Sequence, residues 1–395
     1  MNLPGAQNVG SGLRVGAFLV ALCLPLCGRV FSLDSGSELG ENRATAPAPG
    51  WPTTGQELRD LPPKVDAFWN DAFGFRRQLI RGHALFKLKV GVSSSDRVVV
   101  GKEGWLFYTG ESSIPVFLGQ APFSPGELNF IQAELEARRD WLASKGAKYL
   151  LMVGPNKESI YPEMMPDELP AGATNRMSQL VDHLKAHSTF EILDVRTILR
   201  ANKGVGQLYH KTDTHWTDRG LFFAYQEMAQ QLTRWFPQLP TRQASDFELK
   251  AAPPFSGDLS AMLGMVGVVR DERFELNARS PFRAVEETPD NFRKGGPRVA
   301  TYRGPPGLPR AVVFHDSFFL PPEQRDAPPE PHESPFRVQR LLAESFSHSY
   351  FAWRHDFAPD VIDAEHPDVV IQEMVERSLA FGLPGQAPRP SAPPQ

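Results

Sequence analysis

The chain has 395 residues, 41% of them hydrophobic and 22% charged, which is enough apolar material for one large domain or two smaller ones and too much for a disordered protein. Lys and Arg total 42 against 46 Asp and Glu, a net charge of −4, so the chain lacks the positive field of a nucleic-acid binder and no nucleic-acid partner is expected. Both cysteines, Cys23 and Cys27, lie in the N-terminal apolar run, which excludes structural disulfides and cysteine-held metals from everything after them.

That run, residues 15–27, follows Arg14 and is broken only by Gly16 and Pro25. Its length is nearer a signal h-region than a membrane span of about 20 residues. Apolar character resumes at Val30, Phe31 and Leu33, no Ala-x-Ala site stands close behind, and Leu22 and Leu26 occupy the positions where a lipobox wants a small residue. Residues 1–33 therefore read as a signal peptide or signal anchor, with the uncleaved anchor as the expectation. Residues 34–63, rich in Gly, Ser and Pro, read as a linker. Residues 64–383 form the body, interrupted by a Pro-rich insertion at 321–335, and residues 384–395 are a loose tail.

Within the body, helical and strand patterns alternate, which predicts a layered α/β fold. Ser124, Pro125 and Glu127 make a capping-box start, and Leu128, Ile131, Leu135 and Leu142 mark one helical face up to Gly146. Residues 148–153 are a nearly continuous apolar run, as in a strand covered on both faces. Met177, Leu180, Val181 and Leu184 repeat the helical spacing, followed by a short strand at 190–195 and another candidate strand at 207–210. Thr217 caps a helix reaching about Phe236, with Leu221, Tyr225, Met228 and Leu232 inward. Residues 311–315 and 369–372 supply two more buried strands.

Two segments fall at strand ends, where open α/β sheets hold their ligands: Asp213-Thr214-His215-Trp216 and His315-Asp316-Ser317-Phe318. A serine hydroxyl becomes a nucleophile when a base takes its proton, and that base needs a carboxylate to hold one tautomer. Ser317, His215 and Asp213 are those three residue types. Spacing alone leaves other readings open: Asp213 as a local cap on backbone amides, or His210, Asp213 and His215 as ligands of zinc or iron. Trp216 reads either as a sugar-stacking ring or as a core tryptophan.

The same segments resemble the AlgJ and AlgX group of SGNH hydrolase-like proteins that O-acetylate alginate and related exported polysaccharides. The likeness runs through ENR at 41–43, NDAFGFR at 70–76, VGKEGWLFY at 100–108, PNK at 155–157, YPE at 161–163, DTHW at 213–216, DSF at 316–318, PDVV at 367–370 and ERSL at 376–379. It implies an SGNH-hydrolase-like fold with a central, mostly parallel sheet and a circularly permuted active-site order, the Asp/His pair preceding the serine. It further implies Ser317 as nucleophile, His215 as base, Asp213 as its orienting carboxylate, and no cofactor or metal. His315 departs from the glycine of many SGNH serine motifs. Asn156 either donates to an oxyanion together with the Ser317 amide or simply makes a turn, and Lys157 either meets an acidic sugar or sits on the surface. With only a short stretch after Leu379, the expectation is the AlgJ-like form without a carbohydrate-binding module, tethered at the periplasmic face of the cytoplasmic membrane beside a membrane-bound O-acyltransferase that supplies acetyl. The alternative function is a non-catalytic polysaccharide-binding or assembly protein of the same fold, and a further one is a metal-dependent hydrolase.

Overall fold

The computed structural model of the protein describes residues 6–30, 46–288, 299–319 and 338–383. The first part of the linker with its ENR segment, the Pro-rich insertion and the C-terminal tail lie outside the described residues. The chain divides into two compact units, Met1–Ser95 with Ser260–Val269, and Asp96–Leu259 with Arg270–Gln395.

The first unit is helical: Ala6–Val30, Gly55–Arg59, Leu61–Ala72 and Arg76–Lys89. Ala6–Val30 contains the N-terminal apolar run, with Pro25 inside it and Val15, Phe18, Leu19, Val20 and Leu24 exposed. Among the described residues no helix is long and apolar enough to cross a membrane. The end of the expected linker is instead helix. Thr54 accepts the Glu57 amide as an N-cap, and the Pro62-Pro63 pair sits in the first turn of Leu61–Ala72, where a missing N–H leaves no bond unmade.

The second unit is built on β1 (Val98–Val100), β2 (Leu106–Tyr108), β3 (Lys148–Gly154), β4 (Ile192–Asp194), β5 (Phe247–Phe255), β6 (Asp271–Ala278), β7 (Val285–Thr288), β8 (Val299–Arg303), β9 (Arg310–His315), β10 (His348–Trp353) and β11 (Val369–Val375). Seven strands form one sheet in the order β4-β3-β11-β9-β10-β8-β7. The first five run parallel, and β8 and β7 extend the edge antiparallel. This is the mostly parallel α/β sheet expected, with two short antiparallel ribbons, β1/β2 and β5/β6, outside it.

Alternation along each strand supplies two cores. Tyr149, Leu151 and Val153 of β3, Val312 and Phe314 of β9 and Met374 of β11 face a layer containing Ile131, Leu135, Met177 and Leu184 of the helices Pro125–Ser144 and Arg176–His187. Leu150, Met152, Val313 and Ile371 face the other way, onto Leu221, Tyr225, Met228 and Leu232 of Asp218–Trp235. Both helix starts are the predicted ones: Ser124 and Glu127 cap each other reciprocally, and Thr217 accepts the Gly220 amide. Residues 207–210 are not a regular strand. They make one bridge, Tyr209 to Trp216, because the chain reverses within the intervening residues and leaves no length for a ladder.

Candidate active site

Parallel strands deliver their following loops to one sheet edge, and here that edge gathers the turn after β3, the turn after β9 and the end of β11. After β9 the chain tightens into the turn Ser317–Phe319. Asp316 shapes it: Oδ1 accepts the Phe318 amide at 2.7 Å and Oδ2 accepts the Val375 amide at 2.7 Å, tying the Ser317 turn to β11. Ser317 itself remains partly exposed.

The histidine arrives on a separate reversal. His210 N–H donates to His215 O at 3.1 Å and Thr217 N–H to Leu208 O at 2.9 Å, closing a hairpin-like loop just before the helix Asp218–Trp235. At its tip Asp213 and His215, both buried, point the same way. His215 Nδ1 lies 2.6 Å from Asp213 Oδ1, and His215 Nε2 lies 2.9 Å from Ser317 Oγ. The three residues proposed from the sequence therefore meet, in the reversed chain order.

Several neighbours fix this arrangement. Lys157, following the turn after β3, is buried and donates its ammonium to three carbonyls, those of Asp213 (2.7 Å), His210 (2.9 Å) and Lys211 (3.2 Å). Burial pulls its pKa down to about 8, opposed by the charges of Asp258 and Asp213. Lys157 is thus neither a surface lysine nor a sugar contact, since its ammonium is consumed inside the protein. Of the two readings of Trp216, the core one holds and the sugar-stacking one does not. Its ring is 2% exposed, packs against Phe318 at 5.0 Å, and its indole N–H donates to Phe318 O at 2.8 Å, so it links the two loops and offers no face to a sugar.

Asn156 sits beneath the same edge, its amide bonded to Glu376 and its side-chain oxygen 3.4 Å from Arg377 Nη1, in a small polar cavity shared with Thr214 and Glu158. Glu158 is wholly buried, and desolvation pushes its carboxyl up to about 7. His315 is buried, its Nδ1 2.8 Å from Asp316 O and its ring stacked on Phe319, so it fills space beside the turn.

Asp258 escaped the sequence reading. It follows β5, and its carboxyl accepts both the Thr214 amide (2.8 Å) and the Thr214 hydroxyl (2.5 Å). Burial and the nearby Asp213 charge push it up to about 7. Among the described residues, Asp213, His215 and Asp258 are the histidine and carboxylate group close enough to share an ion, their atoms within 4.8 Å of one another. His210 drops out of the ligand set read from the sequence, because its ring faces Asp271 at 3.7 Å.

The layered, mostly parallel sheet is an SGNH hydrolase-like fold, and residues 98–292, just under half of the chain, match the family model described as an SGNH hydrolase-like domain, acetyltransferase AlgX. Within that class the likeness is to the AlgJ/AlgX proteins. The probable alginate O-acetylase AlgJ of Pseudomonas syringae pv. tomato is 28% identical over 199 residues, 50% of this chain and 49% of that protein. Its namesake from Pseudomonas aeruginosa is 34% identical over 124 residues, 31% of this chain and 30% of that one. The chain thus spans about half, or less, of the length of these curated relatives. The solved structure of Bacillus cereus PatB1 with a sulfonyl adduct shares the fold at 12% identity, with a TM-score of 0.52 over 73% of this chain and all of that one. Asp213, His215 and Asp258 lie inside the matched family range, and Ser317 lies beyond it.

Proposed function

We propose that this protein is a serine-dependent O-acetyltransferase that acetylates hydroxyls of an exported polysaccharide, with acetylesterase activity when water replaces the sugar. The observation that carries the reading is the convergence of Ser317 Oγ on His215 Nε2 at 2.9 Å, across 102 residues of chain, with Asp213 2.6 Å behind the other ring nitrogen. The names of the AlgJ relatives and the AlgX family model support the acetyl and polysaccharide parts.

In the first half-reaction His215 Nε2 takes the Ser317 proton as Oγ adds to the acetyl carbonyl of a donor. In this proposal the Ser317 amide, with Asn156 as a second donor, stabilises the oxyanion. Collapse breaks the donor's acyl bond, His215 returns the proton to the leaving oxygen, and acetyl-Ser317 remains. A sugar hydroxyl then adds to that ester while giving its proton to Nε2, and departure of Oγ with the proton returned restores Ser317. Asp213 stabilises the imidazolium in both halves.

A membrane-bound O-acyltransferase as acetyl source, and a location at the periplasmic face of the cytoplasmic membrane, belong to the same proposal. The exposed apolar side chains of Ala6–Val30 support tethering there. Ser317→Ala tests the chemistry: turnover of a chromogenic acetyl ester should fall by about a millionfold, with the circular dichroism spectrum unchanged. The O-acetyl content of polysaccharide exported by cells carrying this variant should fall to that of cells lacking the protein. Activity near wild type sinks the assignment.

A further inference from the structure

We infer that Asp258 is a positioning residue of the catalytic centre, which acts through the Thr214 hydroxyl to hold His215 in the one tautomer able to accept the Ser317 proton. The inference rests on the Ser317-His215-Asp213 reading above. Neutral imidazole carries its proton on either Nδ1 or Nε2, and only the Nδ1–H form leaves Nε2 bare toward Ser317. Asp213 Oδ1, 2.6 Å from Nδ1, favours that form. Yet Nδ1 has a second neighbour, Thr214 Oγ1 at 3.0 Å. A hydroxyl can donate as well as accept, so on its own it would also stabilise the wrong tautomer by donating to a bare Nδ1.

Asp258 removes that freedom. Thr214 Oγ1 has one proton, and with the Asp258 carboxyl ionised, as it is in mildly alkaline solution, that proton is given to Asp258 Oδ2 at 2.5 Å. Only lone pairs are then left to face Nδ1, so the ring nitrogen must be the donor to both neighbours. Asp258 is itself fixed from the other side. Its amide donates to Asp213 Oδ2 at 3.1 Å, its Oδ1 takes the Thr214 amide, and its own Oδ2 stands 3.8 Å from His215 Nδ1. Asp213 Oδ1 also takes the His215 amide at 3.0 Å, so both oxygens of the catalytic carboxylate are committed. Gly257 makes the approach possible. A Cβ there would lie 2.4 Å from both Asp213 Cβ and Thr212 O, and flanking bonds from Gly257 N to Thr212 Oγ1 (3.2 Å) and from Leu259 N to Thr212 O (3.1 Å) fasten the segment along the catalytic loop.

The test is an epistasis experiment on acetyl-ester hydrolysis in mildly alkaline buffer. Asp258→Asn keeps the shape but can present an amide N–H to Thr214, turning the hydroxyl onto Nδ1; kcat should fall by about tenfold or more at unchanged KM. Adding Thr214→Val deletes the misdirected hydroxyl, so the double variant should be faster than Asp258→Asn alone. A double variant equal to or slower than the single one overturns the inference, as does an Asp258→Asn enzyme with wild-type kcat. Should Asp258→Asn fail to fold, Asp258→Ala, which also leaves the Thr214 hydroxyl free to turn onto Nδ1, is compared with and without Thr214→Val: a faster double variant sustains the inference, and an equal or slower one overturns it. Retained activity in Ser317→Ala instead strikes the underlying triad reading, so the two failures are distinguishable.

Discussion

The two halves of the site are built by opposite means. The Ser317 turn is held mainly by Asp316, which accepts two backbone amides and docks the turn onto β11, with the Trp216 indole donating to Phe318 O. The His215 loop is held by polar groups from three places in the chain: Lys157 on its carbonyls, Asp258 on Thr214, and Asp213 on the imidazole. A serine needs a position and open space around it, whereas a histidine needs an orientation, a tautomer and a stabilised cation. The asymmetry in wiring follows from that asymmetry in demands.

Substitutions should break the two halves unequally. Beyond loss of the nucleophile itself, the greatest effect is expected from Asp213→Asn, which leaves the loop shape intact but reverses the ring's hydrogen bond, costing about 10⁴ in turnover. Chelator treatment should leave the wild type unchanged in the same assay; inactivation by chelator and recovery with zinc would transfer Asp213, His215 and Asp258 to a metal centre. Lys157→Met comes next. It strands three carbonyls while removing a desolvated charge, so kcat should drop by about ten- to a hundredfold through a misplaced loop, with a melting temperature lowered by a few degrees. Asp316→Asn, on the nucleophile's side, keeps one acceptor of two and should cost about tenfold or less, read as kcat at constant KM.

The smallest effect on activity should come from Glu158→Gln, whose signature is in stability. Its folded carboxyl, pushed up to about 7 by burial, keeps a proton that the unfolded chain releases above its ordinary value of 4.5. The folded state therefore binds more protons in that window, and stability falls as pH rises from about 4.5 to about 7, by on the order of 3 kcal/mol from this group. Urea denaturation at pH values on either side of the window should show that decline in the wild type and a shallower one in the glutamine variant. Equal slopes would place the Glu158 titration elsewhere.

The sequence carried the framework because its signals are local. The apolar runs at β3 and β11, the Ser124 capping box and the Thr217 cap each announce their element within a few residues. The Asp-x-His pair and the serine after β9 were legible for the same reason. Lys157 was misread and Trp216 left between two readings because their fate is decided by neighbours far along the chain, three carbonyls of the histidine loop for one and Phe318 for the other. Asp258 gave no signal at all: an acidic residue after a Pro-Pro strand and a glycine has no period or motif, and its role exists only once the β5 end lies along Thr212 and Asp213.

The place of β11 in the sheet has a kinetic consequence. It lies between β3 and β9 and pairs in parallel with both, although it comes last of the strands among the described residues. Until residues 369–375 are available, β3 and β9 have no common neighbour, and Asp316 has no Val375 amide to bond. Closing such long-range parallel pairings is slow, because the loop entropy must be met before the contacts form. On this topology the earlier strands are expected to stay an open, incompletely buried sheet during synthesis, with the Ser317 turn and the sheet's centre completed together once β11 is in place.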